Sequence, residues 1–196
     1  MKYNVKNGLK KCYVSVISTD GSYGVPKELG DLIEISITAS ENSTSLYAGN
    51  GVIMVDSALG EIDTTISIPA LSEENEALLF GHKVATGGGI IKSSNDVKPY
   101  VALLVEQTSK NSESGAGVDE YLTLYKGQFN LSEKKGKTKE GGVEFQTTSL
   151  SAKFMPVESG VWMHIVASDS ADFNATEHAT KWAKVVELPT VKVVTP

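Results

Sequence analysis

The sequence contains no arginine; all eighteen basic residues among its 196 are lysines. Arginine supplies the two-pronged donor that reads base edges and grips phosphates. Its absence, together with a formal net charge of −6, argues against a protein that reads nucleic-acid sequence. A single cysteine, Cys12, excludes an internal disulfide and fits a reducing compartment. No apolar run approaches the roughly 20 residues of a membrane helix, so no membrane anchoring is expected. The polar start Met1-Lys2-Tyr3-Asn4-Val5 predicts no signal peptide. What remains is ordinary for a globular chain, 40% hydrophobic and 21% charged, with the length of one domain over residues 1–196.

Strand signals dominate. Ile33, Ile35, Ile37 and Ala39 alternate with Glu34, Ser36, Thr38 and Ser40, and Ile62, Thr64, Ile66 and Ile68 alternate with Asp63, Thr65 and Ser67. A period of two puts apolar side chains on one face and polar ones on the other, as in half-buried antiparallel strands. Between them, residues 41–60 read as a long inter-strand loop with its own apolar patch, Val52-Ile53-Met54-Val55. Strict alternation would group Ile53 with Val55, or Val52 with Met54.

Elsewhere, residues 1–10 read as an N-terminal arm, and Cys12, Val14 and Val16 as the inward side of a first strand. Thr19-Asp20-Gly21-Ser22 reads as a turn, and Val25 before Pro26 as extended. Ser72 before Glu73 and Glu74 predicts a capped helix over 71–81 that Gly81 ends. Tyr100 to Val105 is apolar on both faces and predicts a covered strand. Residues 109–119 read as a polar loop, and 121–129 as a strand in which Gly127 marks a bulge or a close approach. Lys134, Lys135, Lys137 and Lys139 read as a solvated loop. Val143 and Phe145 have the opposite parity to Leu150, Ala152 and Phe154, which requires a break near Thr147. Val161 to Val166 predicts a further strand, Ala175 to Trp182 one or two helical turns, and residues 185–196 a C-terminal tail. The fold class is therefore mainly β: an antiparallel sandwich or barrel with one flanking α-helix and extended loop and terminal arms.

Chemistry is sparse. His82, His164 and His178 have no metal-ligand spacing. Gly87-Gly88-Gly89-Ile90-Ile91-Lys92-Ser93 lacks the glycine directly before Lys-Ser that a phosphate loop needs. Glu73, Glu74 and Glu76 suit a helix start better than a calcium cluster, and Asn174-Ala175-Thr176 matches a glycosylation sequon only in form. Cys12, Trp162 and Trp182 suit core or interface positions. The residues predict no enzyme, no metal and no cofactor.

The chain resembles the major tail proteins, or tail tube subunits, of long non-contractile-tailed bacteriophages of Gram-positive hosts. The resemblance rests on the order of several short pieces: Lys2-Tyr3-Asn4-Val5-Lys6-Asn7, Tyr23-Gly24-Val25-Pro26, Pro99 to Val105, Lys137-Thr138-Lys139-Glu140 before a Thr-rich strand, and Trp182 near the end. It implies a tail protein of the virion, assembled in the host bacterial cytoplasm. Six copies would form a ring, and rings would stack around a tape-measure protein between tail terminator and tail-tip proteins. Double-stranded DNA would pass through the bore without specific binding. On that reading Glu34, Ser36, Thr38, Asp63, Thr65 and Ser67 are the lumen-facing candidates, and Val52, Ile53, Met54 and Val55 the inter-ring candidates. The alternatives are a β-sandwich binding module of a tail tip or adhesion apparatus, and a tube protein of a contractile or secretion system.

Overall fold

Two neighbouring residues close the sheet on itself. The Leu32 N–H donates to the Lys10 carbonyl at 2.7 Å, and the Ile33 N–H donates to the Ser67 carbonyl at 2.8 Å. Leu32 thereby extends β2 (Lys27–Asp31), which pairs with β1 (Asn4–Val16), while Ile33 leads into β3 (Glu34–Ala48), which pairs with β4 (Gly51–Ile68). The computed structural model describes residues 3–131 and 147–190. The lysines at 134, 135, 137 and 139, and the parity of Val143 and Phe145, lie outside the described residues.

The remaining main strands are β7 (Val101–Asn111), β8 (Gly117–Phe129), β9 (Thr148–Phe154) and β10 (Met163–Ala167). The antiparallel order is β2-β1-β7-β8-β9-β4-β3. With β2 and β3 forming one bent strand across Leu32 and Ile33, this mainly-β sheet wraps into a barrel. A closed sheet leaves fewer unpaired strand edges.

The barrel interior holds Cys12, Val14, Ile62, Ile66, Val101, Leu103, Leu124, Phe129, Leu150 and Phe154. β7 explains its own composition. Val101, Leu103 and Val105 face this interior, while Ala102 and Leu104 join Tyr125 and Val186 in a second cluster on the outer side. Residues 157–186 supply its cover, including Val157, Val161 and Trp182. A strand buried on both faces needs no polar alternate.

One side of β8 serves two strands. Leu124 pairs with Met163 of β10, whereas Gly127 pairs with Phe154 of β9. The sheet forks there, and Gly127 is where the β7–β8 register also shifts. The sequence reading of Gly127 is thus borne out. So is the helix. α1 (Glu73–Phe80) starts where the Asn75 N–H donates to Ser72 Oγ at 3.2 Å, and it ends at left-handed Gly81, φ 71°. Leu79 and Phe80 close that end of the barrel. The short hairpin β5 (Lys83–Val84) with β6 (Ile90–Ile91) follows, turning tightly at the glycine run.

Two expectations need correction here. Residues 4–10 are not an arm; they belong to β1 and pair with β7 through Asn4, Val5, Lys6, Gly8 and Leu9. The 109–119 loop shrinks to a turn, because β7 runs to Asn111 and β8 starts at Gly117. The expected helical turn within 175–182 is present: residues 176–181 wind as a π-helical turn, begun by Asn174, whose Oδ1 accepts the Thr176 N–H at 3.0 Å. The tail is fastened near its start, where Val186 is buried and Tyr125 Oη donates to the Glu187 carbonyl at 3.2 Å. In the arm and the 109–119 loop, backbone pairing overrides a local polar signal.

Candidate functional site

The six predicted polar residues share one face. Register pairs Glu34 with Ser67, Ser36 with Thr65, and Thr38 with Asp63. Directly opposed residues of an antiparallel pair point to the same side. Their inward neighbours Ile62, Thr64, Ile66 and Ile68 are buried, while Glu34, Ser36, Thr38, Asp63 and Thr65 are exposed and Ser67 half-buried. β9 extends each row: Ser149 lies opposite Ser67, Ser151 opposite Thr65, and Lys153 opposite Asp63. The result is a three-by-three patch of hydroxyls and charges on the barrel's outer surface. Lys153 is paired with Glu61, and this bond, with Asp63 adding to it, raises the lysine's pKa. Ser149, Ser151 and Lys153 are the alternates of buried Leu150, Ala152 and Phe154.

The predicted loop at 41–60 is overturned. β3 and β4 remain paired through it, from Glu41 opposite Leu59 to Ala48 opposite Gly51, with the turn at Gly49-Asn50. Every residue from 41 to 59 is exposed, so the two strands form a ribbon that leaves the barrel. A bulge marks the exit: Ala39 pairs with Ile62 but Glu41 with Leu59, and the Ser40 hydroxyl donates to the Glu61 carbonyl at 2.9 Å. A side chain at Gly60 would strike the Ser40 oxygen at 2.5 Å. A second bulge leaves Ile53 without an opposite residue, since Leu46 faces Met54 and Tyr47 faces Val52. Ser45 faces Val55.

This second bulge breaks the strict alternation expected for Val52, Ile53, Met54 and Val55. Tyr47, Val52 and Val55 stand on one face, with Leu59, and that face continues the barrel's inward side. Leu46 and Met54 stand on the other, in line with Glu34, Ser36 and Thr38. A two-stranded ribbon with apolar groups on both faces and no third layer is marginal in water. Exposed apolar patches of this kind commonly mark interaction surfaces.

Other chemistry-bearing residues fall into structural roles. Cys12 is fully buried in the barrel, and burial pushes its thiol up to about 12, the carboxylates of Glu28 and Asp31 adding to the effect. A thiol held protonated is a poor nucleophile. His82 Nδ1 lies 2.7 Å from Asp96 Oδ2, which also accepts the Ser93 N–H, tying α1's exit to the loop before β7. Hydrogen bonds from Ser93 and His82 hold the Asp96 carboxyl below the usual carboxylate range. Glu76 pairs with Lys92 at 2.6 Å, so the acidic helix start anchors the β5–β6 hairpin.

The structure brings two of the three histidines together. His164 on β10 and His178 on the π-helical turn have ring centroids 6.0 Å apart. They end a chain of rings, Tyr13–Trp182–Tyr121–Phe173–His178, each step 5.2–6.2 Å, that fastens the C-terminal segment to β1 and β8. Trp182 Nε1 also donates to Thr123 Oγ1 at 2.9 Å. A cleft of about 670 Å³ opens beside these rings. Among the described residues no group of three or more His, Cys, Asp or Glu side chains is placed to hold a metal ion. Sequence separation hid the ring chain; no local signal announces it.

In the comparisons with known proteins, no family model matches the chain and no curated protein matches it.

Proposed function

We propose that the chain is a structural subunit of a phage tail tube, a protein whose work is to assemble with copies of itself. The observation that carries this reading is the ribbon of residues 41–59, which exposes Leu46, Tyr47, Val52, Ile53, Met54 and Val55. Each such side chain gains about 1.5–3 kcal/mol when fully covered. One docked ribbon therefore supplies on the order of 10 kcal/mol, against an association cost of about 4–15 kcal/mol. A single contact comes out near balance. Many contacts made together, as when a ring adds to a tube, are strongly favourable, so the reading predicts cooperative, nucleated growth.

The polar patch on β3, β4 and β9 supports the same reading. Placed along a bore, a wall of serine, threonine and mixed charge without arginine offers a passing polyanion little to bind. Double-stranded DNA would pass that wall, and a tape-measure protein would fill the bore beforehand. The test is direct. Negative-stain images of the concentrated purified chain should show rings or tubes with a central bore. A protein that sediments as a monomer at every concentration, alone and with its tail partners, overturns the proposal.

A further inference from the structure

We infer that the ribbon of one copy docks on the opposite end of the next, on the surface made by β5, β6 and the residues leading into β7. This rests on the assembly reading above and names the acceptor it needs. β4 runs 18 residues, through both bulges, from the ribbon's turn at Gly51 to Ile68 shortly before α1. At about 3.3 Å per residue, the contour of that strand is roughly 55 Å, with the ribbon tip at one end and the helix beyond the other. A contact between these two ends joins different surfaces of successive copies, so it propagates rather than closing on a pair.

The acceptor is apolar and exposed. Val97 is 82% exposed, Val84 56% and Ile91 52%. It is also preformed. The Val97 carbonyl occupies the place a side chain at Gly81 would need. His82 holds Asp96, Glu76 holds Lys92, and Gln128 Nε2 donates to the Lys98 carbonyl at 3.0 Å. Lys126 Nζ sits 5.0 Å over the Tyr100 ring. A rigid acceptor loses little conformational freedom on binding.

Charge selects this pairing. Residues 41–59 carry two acids, Glu41 and Asp56, and no lysine. Residues 81–100 carry Lys83, Lys92 and Lys98 against one acid, Asp96, which His82 holds. With Lys92 engaged by Glu76, Lys83 and Lys98 are the cations that can meet Glu41 and Asp56. The acids Glu73 and Glu74 stand at the opposite end of α1 from Gly81. Complementary charge sets register and orientation across an interface.

Cross-linking tests the inference on the assembled full-length chain. Val55→Cys combined with Val97→Cys should give, under mild oxidation, a ladder of covalent oligomers beyond the dimer; each single variant should stop at the dimer. The native Cys12 is fully buried and should not react. Val55→Cys with Ile165→Cys, on β10, should give no ladder. Asp56→Lys should raise the concentration needed for assembly at least tenfold, and Lys98→Glu should restore it. Tubes that form but give no Val55–Val97 ladder, or that ladder through Ile165 instead, overturn the docking while the tube reading stands. Failure of the unmodified chain to assemble overturns both.

Discussion

The ring of Phe154 fills the space that a side chain at Gly127 would occupy. A Cβ at position 127 would meet the ring's Cδ1 at 2.5 Å and the Lys153 carbonyl at 2.7 Å. This contact sits at the fork where β8 passes from β10 to β9, so neither backbone can yield without disturbing two pairings. Gly127→Ala should therefore destabilise the barrel by about 1–3 kcal/mol, the usual range for overpacking. For a chain of this size that lowers the melting temperature by about 2–4 °C per kcal/mol. Gly87→Ala, where nothing lies within 4 Å, is the matched control and should melt like the parent.

The ribbon makes the reverse prediction. Val55→Asp places a charge on a residue that is already 62% exposed. Monomer stability should stay within about 0.5 kcal/mol of the parent, as for other surface changes. Assembly, read by light scattering or electron microscopy, should be lost. A clear fall in the monomer's melting temperature would mean that this face packs within one chain.

His164 gives a pH dependence. Burial first, and then the neighbouring His178, lowers its pKa from the ordinary 6.5. Above pH 6.5 the ring is neutral whether folded or unfolded, and its full contribution is present. As pH falls below 6.5 the unfolded chain takes up the proton first, so stability declines until the lowered folded value is passed. Chemical denaturation between pH 7 and pH 5 should show this decline, and His164→Asn should flatten it. The aspartates at 20 and 96, whose pKa values are lowered, act only below their ordinary 3.8 and leave this window clear.

The polar patch predicts weak contact with DNA. Assembled tubes of the parent chain should not retain duplex DNA at moderate salt. Glu34→Lys with Asp63→Lys, both on exposed positions of that face, should create retention that weakens as salt rises. If the variant retains no more DNA than the parent, these residues do not line the path.

Sequence pattern revealed what burial writes into composition. The alternation at 35–37 and 62–68, the apolar Val101 to Val105, and the Ser72 and Gly81 caps each correspond to a physical boundary between core and water, whereas Ile33, Ala39 and Tyr100 are exposed at the ends of their runs. The ribbon escaped because both of its faces are exposed in the isolated chain, which removes the period-two signal that marks a strand. Asn4 to Leu9 escaped for a related reason: these residues are held by ladder hydrogen bonds rather than by buried side chains. The polar patch was half legible, with β3 and β4 named and β9 missed, since register between distant strands is not written locally. The meeting of His164 and His178 depends on the whole C-terminal segment crossing the sheet.

Leu32 and Ile33 bind the two ends of the sheet through adjacent N–H groups. The bent strand they join also continues as one edge of the ribbon. A pull on the ribbon along its length is thus carried straight into the barrel wall. It would have to slide β4 past β9, breaking their transverse hydrogen bonds together rather than peeling them in turn. The projecting element is mechanically a tie rod rather than a flap, and in the proposed tube it would carry tension from one copy to the next.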